Sequence, residues 1–172
     1  MRHLFIIVDT SGSMTVDGRM KEGQINDLLR DLLAHVKNTA ASITIVTYSD
    51  IPRMYWTSAT QEVYEDIPQG EFGGRSNLGK AYAFVKEIMG DRYVLASQSS
   101  IVLISDGEAT DDYESELELL DPRGEAIRIA GGIGTGVDTL EDHVINKNWI
   151  FTDVTTVGAR DEFFDEIFLN LK

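Results

Sequence analysis

Apolar runs and helical stripes alternate along almost the whole chain. Leu4-Phe5-Ile6-Ile7-Val8 is a continuous β-branched and aromatic run, the pattern of a strand buried on both faces. Beyond a polar Gly/Ser loop, Ile25, Leu28, Leu29, Leu32, Leu33 and Val36 recur at helical spacing. Ser42–Tyr48 reads as a strand in which Ile43 and Ile45 alternate with Thr44, and Ser49-Asp50 turns the chain into Ile51–Trp56. Pro52 assigns that last segment to a sheet edge, because proline donates nothing to a ladder. The pair is therefore a hairpin whose second strand lies antiparallel at the rim. Gly70–Gly74 forms a loop before a helix striped by Leu78, Ala81, Tyr82, Val85, Ile88 and Met89. Ile101–Ile104 is a second fully apolar run, and Ala126–Ile133 is a strand running into glycines. Leu140, Val144 and Ile145 mark a short helix, and Trp149–Phe151 a last short strand. Asp161–Leu171 sets Phe163, Phe164, Ile167, Phe168 and Leu171 on one helical face, with acids in the first turn where the helix dipole favours them.

Strands separated by helices of this length imply βαβ units with right-handed crossovers. The fold class is α/β: a doubly wound, mostly parallel sheet with one antiparallel edge strand and helices on both faces. With 172 residues, 42% hydrophobic positions, 3 prolines and no internal repeat, residues 1–172 read as a single domain. A chain of that size buries about 70% of its unfolded surface, so its core needs no disulfide or structural metal.

Charge and cysteine content narrow the chemistry. The 15 Lys+Arg against 29 Asp+Glu leave a net charge of −14, which argues against nucleic acid and against anionic membranes as partners. The absence of cysteine removes disulfides, thiolate nucleophiles and Cys-based metal centres. The apolar stretch nearest the start, Leu4–Val8, is too short for a signal-peptide core or a membrane span. The expectation is a soluble, cytoplasmic domain.

In open α/β sheets, ligands sit beyond the carboxyl ends of strands at the topological switch point. Asp9-Thr10-Ser11-Gly12-Ser13 follows the first strand and Asp106 follows Ile101–Ile104, two strands that a doubly wound sheet makes neighbours. Asp9, Ser11 and Ser13 alternate along their loop, so three oxygens can turn toward one point. Gly73-Gly74-Arg75-Ser76-Asn77, which opens the helix at Leu78, supplies a further hydroxyl. The all-oxygen set Asp9, Ser11, Ser13, Ser76 and Asp106 suits a hard cation, Mg2+ or Mn2+, with Ca2+ less suited because charged ligands are few. An ion held mainly by neutral hydroxyls keeps much of its charge and seeks an anionic oxygen from outside.

Asp9-x-Ser11-x-Ser13, the Gly-Gly-x-Ser76-x-Leu-Gly segment and the Ile-Ser-Asp106-Gly-Glu strand end together resemble the von Willebrand factor A domain. The likeness runs from about Ile6 to Phe168, and Ser105–Asp112 is most similar to the bacterial tellurium-resistance TerY-like branch. The resemblance implies a metal-ion-dependent adhesion site. Ser11, Ser13 and Ser76 would bind the metal directly, Asp9 and Asp106 would act mostly through waters, and a partner protein's Asp or Glu would take the open position. It also implies a non-enzymatic interaction module in a bacterial stress-response setting. Two departures stand out: Ser76 replaces the usual threonine, losing a methyl that fixes its rotamer, and Arg75 sets a cation beside the site.

Other features read more plainly. Asp-x-Ser-x-Ser could simply cap a helix, Ser76 or Asn77 the helix at Leu78, and Asp106-Gly107 could be a strand-ending turn. Gly131-Gly132-Ile133-Gly134-Thr135-Gly136 lacks the spacing of a dinucleotide loop and reads as a tight strand-to-helix turn. The acids Glu108, Asp111, Asp112, Glu114, Glu116, Glu118, Asp121 and Glu125 read as solvated surface that enriches cations near the site. His3, His35 and His143 read as structural or surface groups, and Tyr55 and Trp56 as packing residues. The alternative function is a Mg2+-dependent phosphatase or phosphotransferase, built on an Asp ending the first strand. It expects a second acid two residues on, where this chain has Ser11. A serine hydrolase is disfavoured, since Ser11 and Ser13 lack a G-x-S-x-G elbow and a histidine placed to activate them.

Overall fold

The computed structural model describes residues 2–15, 19–39, 41–59, 63–134 and 138–172; the side chains of 19–22 and 138 are outside the description. Strand β1 (His3–Asp9) is buried along its entire length, as its unbroken apolar run requires. It pairs in parallel with β2 (Ser42–Tyr48) on one side and β4 (Ser99–Ser105) on the other. Beyond β2 lies the antiparallel β3 (Pro52–Thr57), and beyond β4 lie β5 (Ile127–Gly132) and β6 (Ile150–Phe151), giving the order β3-β2-β1-β4-β5-β6. The edge position inferred from Pro52 is the one observed.

Alternate residues of β1 feed two cores. Leu4, Ile6 and Val8 face α1 (Arg19–Val36) and α5 (Val157–Leu169), meeting Leu28, Leu32 and Phe163. Phe5 and Ile7 face α2 (Leu78–Asp91), α3 (Tyr113–Leu120) and α4 (Asp138–His143), meeting Leu78, Tyr82, Leu117 and Leu140. The result is the three-layer α/β architecture expected, with the chain's direction of winding reversing between β1 and β4. Both strands end on that crevice.

Several local expectations need correction. α5 begins at Val157 behind Thr156 and has no acid in its first turn, so Asp161 and Glu162 fall in the second. Leu171 lies past the helix yet remains buried, because the chain folds its end against the α1–α5 core. α4 ends at His143, which leaves Val144 and Ile145 in the following loop with Ile145 half exposed. Within the acid-rich segment, α3 forms where only solvated surface was expected. Its apolar stripe is short, Leu117 and Leu120, and its start is fixed by Asp112, whose carboxylate accepts from Ser115 N. Gly131 and Gly132 belong to β5 rather than to a turn: a Cβ at Gly131 would lie 2.8 Å from the Phe163 ring. The turn starts at Gly134 (φ +99°), and Thr135 and Gly136 lie outside the described residues.

Candidate metal centre

Asp9 is the last residue of β1 and is fully buried. Its Oδ1 accepts from Ser11 N at 2.8 Å, an Asx turn that bends the chain sharply off the strand. A single 3-10 turn, Gly12–Met14, follows, and the Ser11 and Ser13 Oγ atoms come to lie 3.1 Å apart. The loop carrying Ser76 is joined to this bend through its backbone. Gly73 N donates to the Thr10 carbonyl at 2.8 Å and Gly12 N to the Gly74 carbonyl at 2.9 Å. Gly74 must be glycine here, since its φ is +81° and a Cβ would meet Asp50 Oδ2 at 2.4 Å. Asp50 holds the same loop from the β2–β3 turn, accepting Arg75 N at Oδ1 and Asn77 Nδ2 at its carbonyl.

These contacts deliver Ser76 onto Asp9. The buried Ser76 Oγ donates to the Glu108 carbonyl at 2.5 Å and lies 3.2 Å from Asp9 Oδ2, so one proton serves two acceptors. Ser105, at the end of β4, donates to the same Asp9 Oδ2 at 2.8 Å and accepts from Gly107 N at 3.1 Å. Asp106 follows, buried, with Oδ1 accepting from Glu108 N. Its negative charge acts on Asp9. The structure therefore brings Asp9, Ser11, Ser13 and Ser76 together through hydrogen bonds, with Asp106 beside them. Arg75 is exposed at the rim.

Burial pushes the Asp9 carboxyl up to about 6, opposed by hydrogen bonds from Ser11 and reinforced by Asp106. Such a carboxyl gains from a nearby cation. Among the described residues no group of three or more His, Cys, Asp or Glu is arranged to hold a metal, and the oxygens gathered here are those of two carboxylates and the serine hydroxyls. The geometry fits a metal ion: two cis ligands of an ion bound at about 2.0–2.1 Å stand about 2.9 Å apart, close to the Ser11–Ser13 separation.

Three participants escape a reading of the sequence. Ser105 adds a hydroxyl to Asp9, and its only signal is its place just before Asp106. Tyr48, the register partner of Asp9 on β2, lies fully buried; burial first, then the charge of Asp9, push its phenol well up. Asp111 caps α2 from a distance, accepting Gly79 N at 2.9 Å and Lys80 N at 3.1 Å, while the side chains of Ser76 and Asn77 make no capping bond. Lys80 Nζ donates to the Asp50 carbonyl, not into the crevice as a phosphoryl-transfer reading would want. The histidines stay outside the site: His3 bonds Thr44 and stacks on Phe5, His143 bonds Tyr82, and His35 faces Asp165. Tyr55 and Trp56 pack through bonds to backbone carbonyls of the 63–66 segment.

The family model of the von Willebrand factor type A domain matches residues 4–108, from β1 through the strand end carrying Asp106. The chain belongs to this family. Solved structures share its fold. Proximal thread matrix protein 1 from the mussel byssus aligns at TM-score 0.71 and 21% identity over 99% of this chain and 46% of its own. A von Willebrand factor type A protein from Catenulispora acidiphila aligns at 0.67 and 15% over 99% and 42%. An aerotolerance-related membrane protein from Bacteroides fragilis aligns at 0.68 and 14% over 96% and 100%. This von Willebrand A chain thus spans under half the length of the mussel protein it matches. No curated protein matches it significantly by sequence. Among the described residues no helix is long and apolar enough to cross a membrane.

Proposed function

We propose that this von Willebrand A domain is a metal-dependent protein-interaction module that takes a carboxylate from a partner protein. The observation that carries the reading is the Asp9 cluster: a fully buried carboxylate contacted by Ser76 and Ser105, turned onto Ser11, and set beside Asp106 at the sheet's switch point. Ser11, Ser13 and Ser76 would hold Mg2+ or Mn2+, with Asp9 and Asp106 orienting hydroxyls and waters around it. When bound, the ion supplies a Lewis-acidic position for an anionic oxygen. This chain's residues supply the rest: Gly74 and Asp50 fix the loop that presents Ser76, and Asp111 anchors the helix behind it. The exposed Glu108, two residues past Asp106, and the net charge of −14 repel broadly acidic surfaces, so the partner presents its Asp or Glu within a neutral or basic surround. A cytoplasmic bacterial stress-response setting rests on the likeness of Ser105–Asp112 to the TerY-like branch. The reading assigns the domain no chemistry of its own.

Calorimetric titration of Mg2+ and Mn2+ tests the reading. Heat of binding is expected from the wild type and lost in Asp106→Ala and in the double variant Ser11→Ala/Ser13→Ala. Absence of heat from the wild type ends it.

A further inference from the structure

Tyr48 carries a polar atom that nothing described so far uses. Its ring lies in the core formed by Leu78, Tyr82 and Leu103, and its hydroxyl is buried with no hydrogen bond of ordinary geometry. The backbone around it is fully engaged: the Tyr48 carbonyl accepts both Thr10 N at 2.8 Å and Thr10 Oγ1 at 3.0 Å. The side chain is therefore fixed in place while its donor is left over. Paired residues on adjacent parallel strands project to the same face, and Tyr48 pairs with Asp9. The polar side chains that act on the phenol are those of Asp9, Ser76, Ser105 and, more weakly, Tyr82, the first three being the cluster at the floor of the crevice.

The contrast with Tyr82 is informative. That phenol, equally buried in the same core, donates to His143 Nδ1 at 2.7 Å, while His143 Nε2 donates to the Ile101 carbonyl at 3.1 Å. The fold can satisfy a buried tyrosine here and does so at Tyr82. A buried hydroxyl without a partner is destabilising, and phenylalanine would fill the same volume without that defect. Ser76 and Ser105 already spend their protons on Glu108 and Asp9. Any demand for a further donor at Asp9 falls to Tyr48.

We propose that Tyr48 is a positioning residue of the metal centre, its hydroxyl donating into the Asp9–Ser76–Ser105 cluster when a divalent cation draws Ser76 into its ligand set. The donor steadies the charge on Asp9 that must persist under the ion. It is idle in the ion-free protein and used in the loaded one. The inference rests on the metal-binding reading above and adds a residue that the three motif segments do not contain.

Tyr48→Phe separates this role from simple packing, because the two predict opposite signs. Thermal unfolding in chelator reads the ion-free protein, and calorimetry with Mn2+ reads affinity. The expected result is an ion-free melting temperature equal to or above wild type, together with Mn2+ affinity about tenfold weaker. Tyr82→Phe serves as the control, lowering the ion-free melting temperature and leaving affinity within twofold. Affinity of Tyr48→Phe within twofold of wild type overturns the inference and leaves metal binding intact. A fall in its ion-free melting temperature also overturns it, since the hydroxyl would then be satisfied without metal. No Mn2+ heat from the wild type removes the metal-binding reading and this inference with it.

Discussion

At the residue scale, the buried acids and bases pull stability in opposite directions with pH. Asp9 titrates at about 6 in the folded protein against 3.8 when unfolded, burial being the main cause. Between about 4 and 6 the folded chain keeps a proton that the unfolded chain has lost, so stability falls as pH rises through that window. The full effect is roughly 3 kcal/mol, since each tenfold difference in proton affinity between the two states is worth about 1.4 kcal/mol. His143 has the reverse sign. Its imidazole is lowered to about 3 by burial, so the unfolded chain takes up the proton first and stability is lost as pH falls below 6.5. His3, lowered to about 4, acts the same way. Asp9→Asn should therefore gain stability over wild type progressively from about pH 4 to 6 in chelator, a difference that urea unfolding at stepped pH measures. A constant difference across that range would mean Asp9 is ionised throughout.

At the element scale, the start of α2 decides where Ser76 stands. Asp111 accepts the first free amides of that helix across two chain segments, and α2 approaches so closely that a Cβ at Gly79 would lie 2.7 Å from the Asp112 carbonyl. Asp111→Ala should cost about 1 kcal/mol, the usual value of a helix cap, and weaken Mg2+ binding severalfold as the 75–77 segment loosens. Asp112→Ala removes the cap of α3 instead, at a similar cost to stability, and should leave Mg2+ affinity unchanged. Chemical denaturation and calorimetry on the two variants check the pair. The acid-rich segment is thus divided by position: Asp111, Asp112 and Asp121 serve backbone amides, while Glu114 and Glu118 remain solvated. Residue type along the segment is nearly uniform, so only the folded arrangement separates these roles.

At the scale of the whole molecule, an ion that binds the folded crevice and not the unfolded chain must raise the melting temperature. Mg2+ at a hundred times its dissociation constant should add about 2.7 kcal/mol, or roughly 5–10 °C for a domain of this size. The rise should vanish in Ser11→Ala/Ser13→Ala and exceed that given by NaCl at equal ionic strength, which also relieves the net charge of −14. Scanning fluorimetry with and without chelator provides the measurement. Much of the architecture was legible beforehand. A strand buried on both faces must be continuous in apolar residues, which marked β1 and β4 as central, and a proline without an amide proton marked β3 as an edge. The motif segments were legible because Asp, Ser and Gly recur at strand ends, where a doubly wound sheet gathers its loops. α3 and the true start of α5 were not legible. Their apolar stripes are short, and tertiary contacts rather than local propensity set their ends.

The sequence by itself determined the layers, the strand that lies at the edge and the segments that meet at the crevice, since periodicity and the lack of a proline donor act locally. The tertiary structure decided which oxygens meet there. Ser105 bonds Asp9 and Tyr48 stands beside it only through the register of three strands, and Asp111 reaches α2 only because the chain returns 32 residues later. Hydrogen bonds depend on distances of tenths of an ångström between groups far apart in the chain, and no local pattern encodes them.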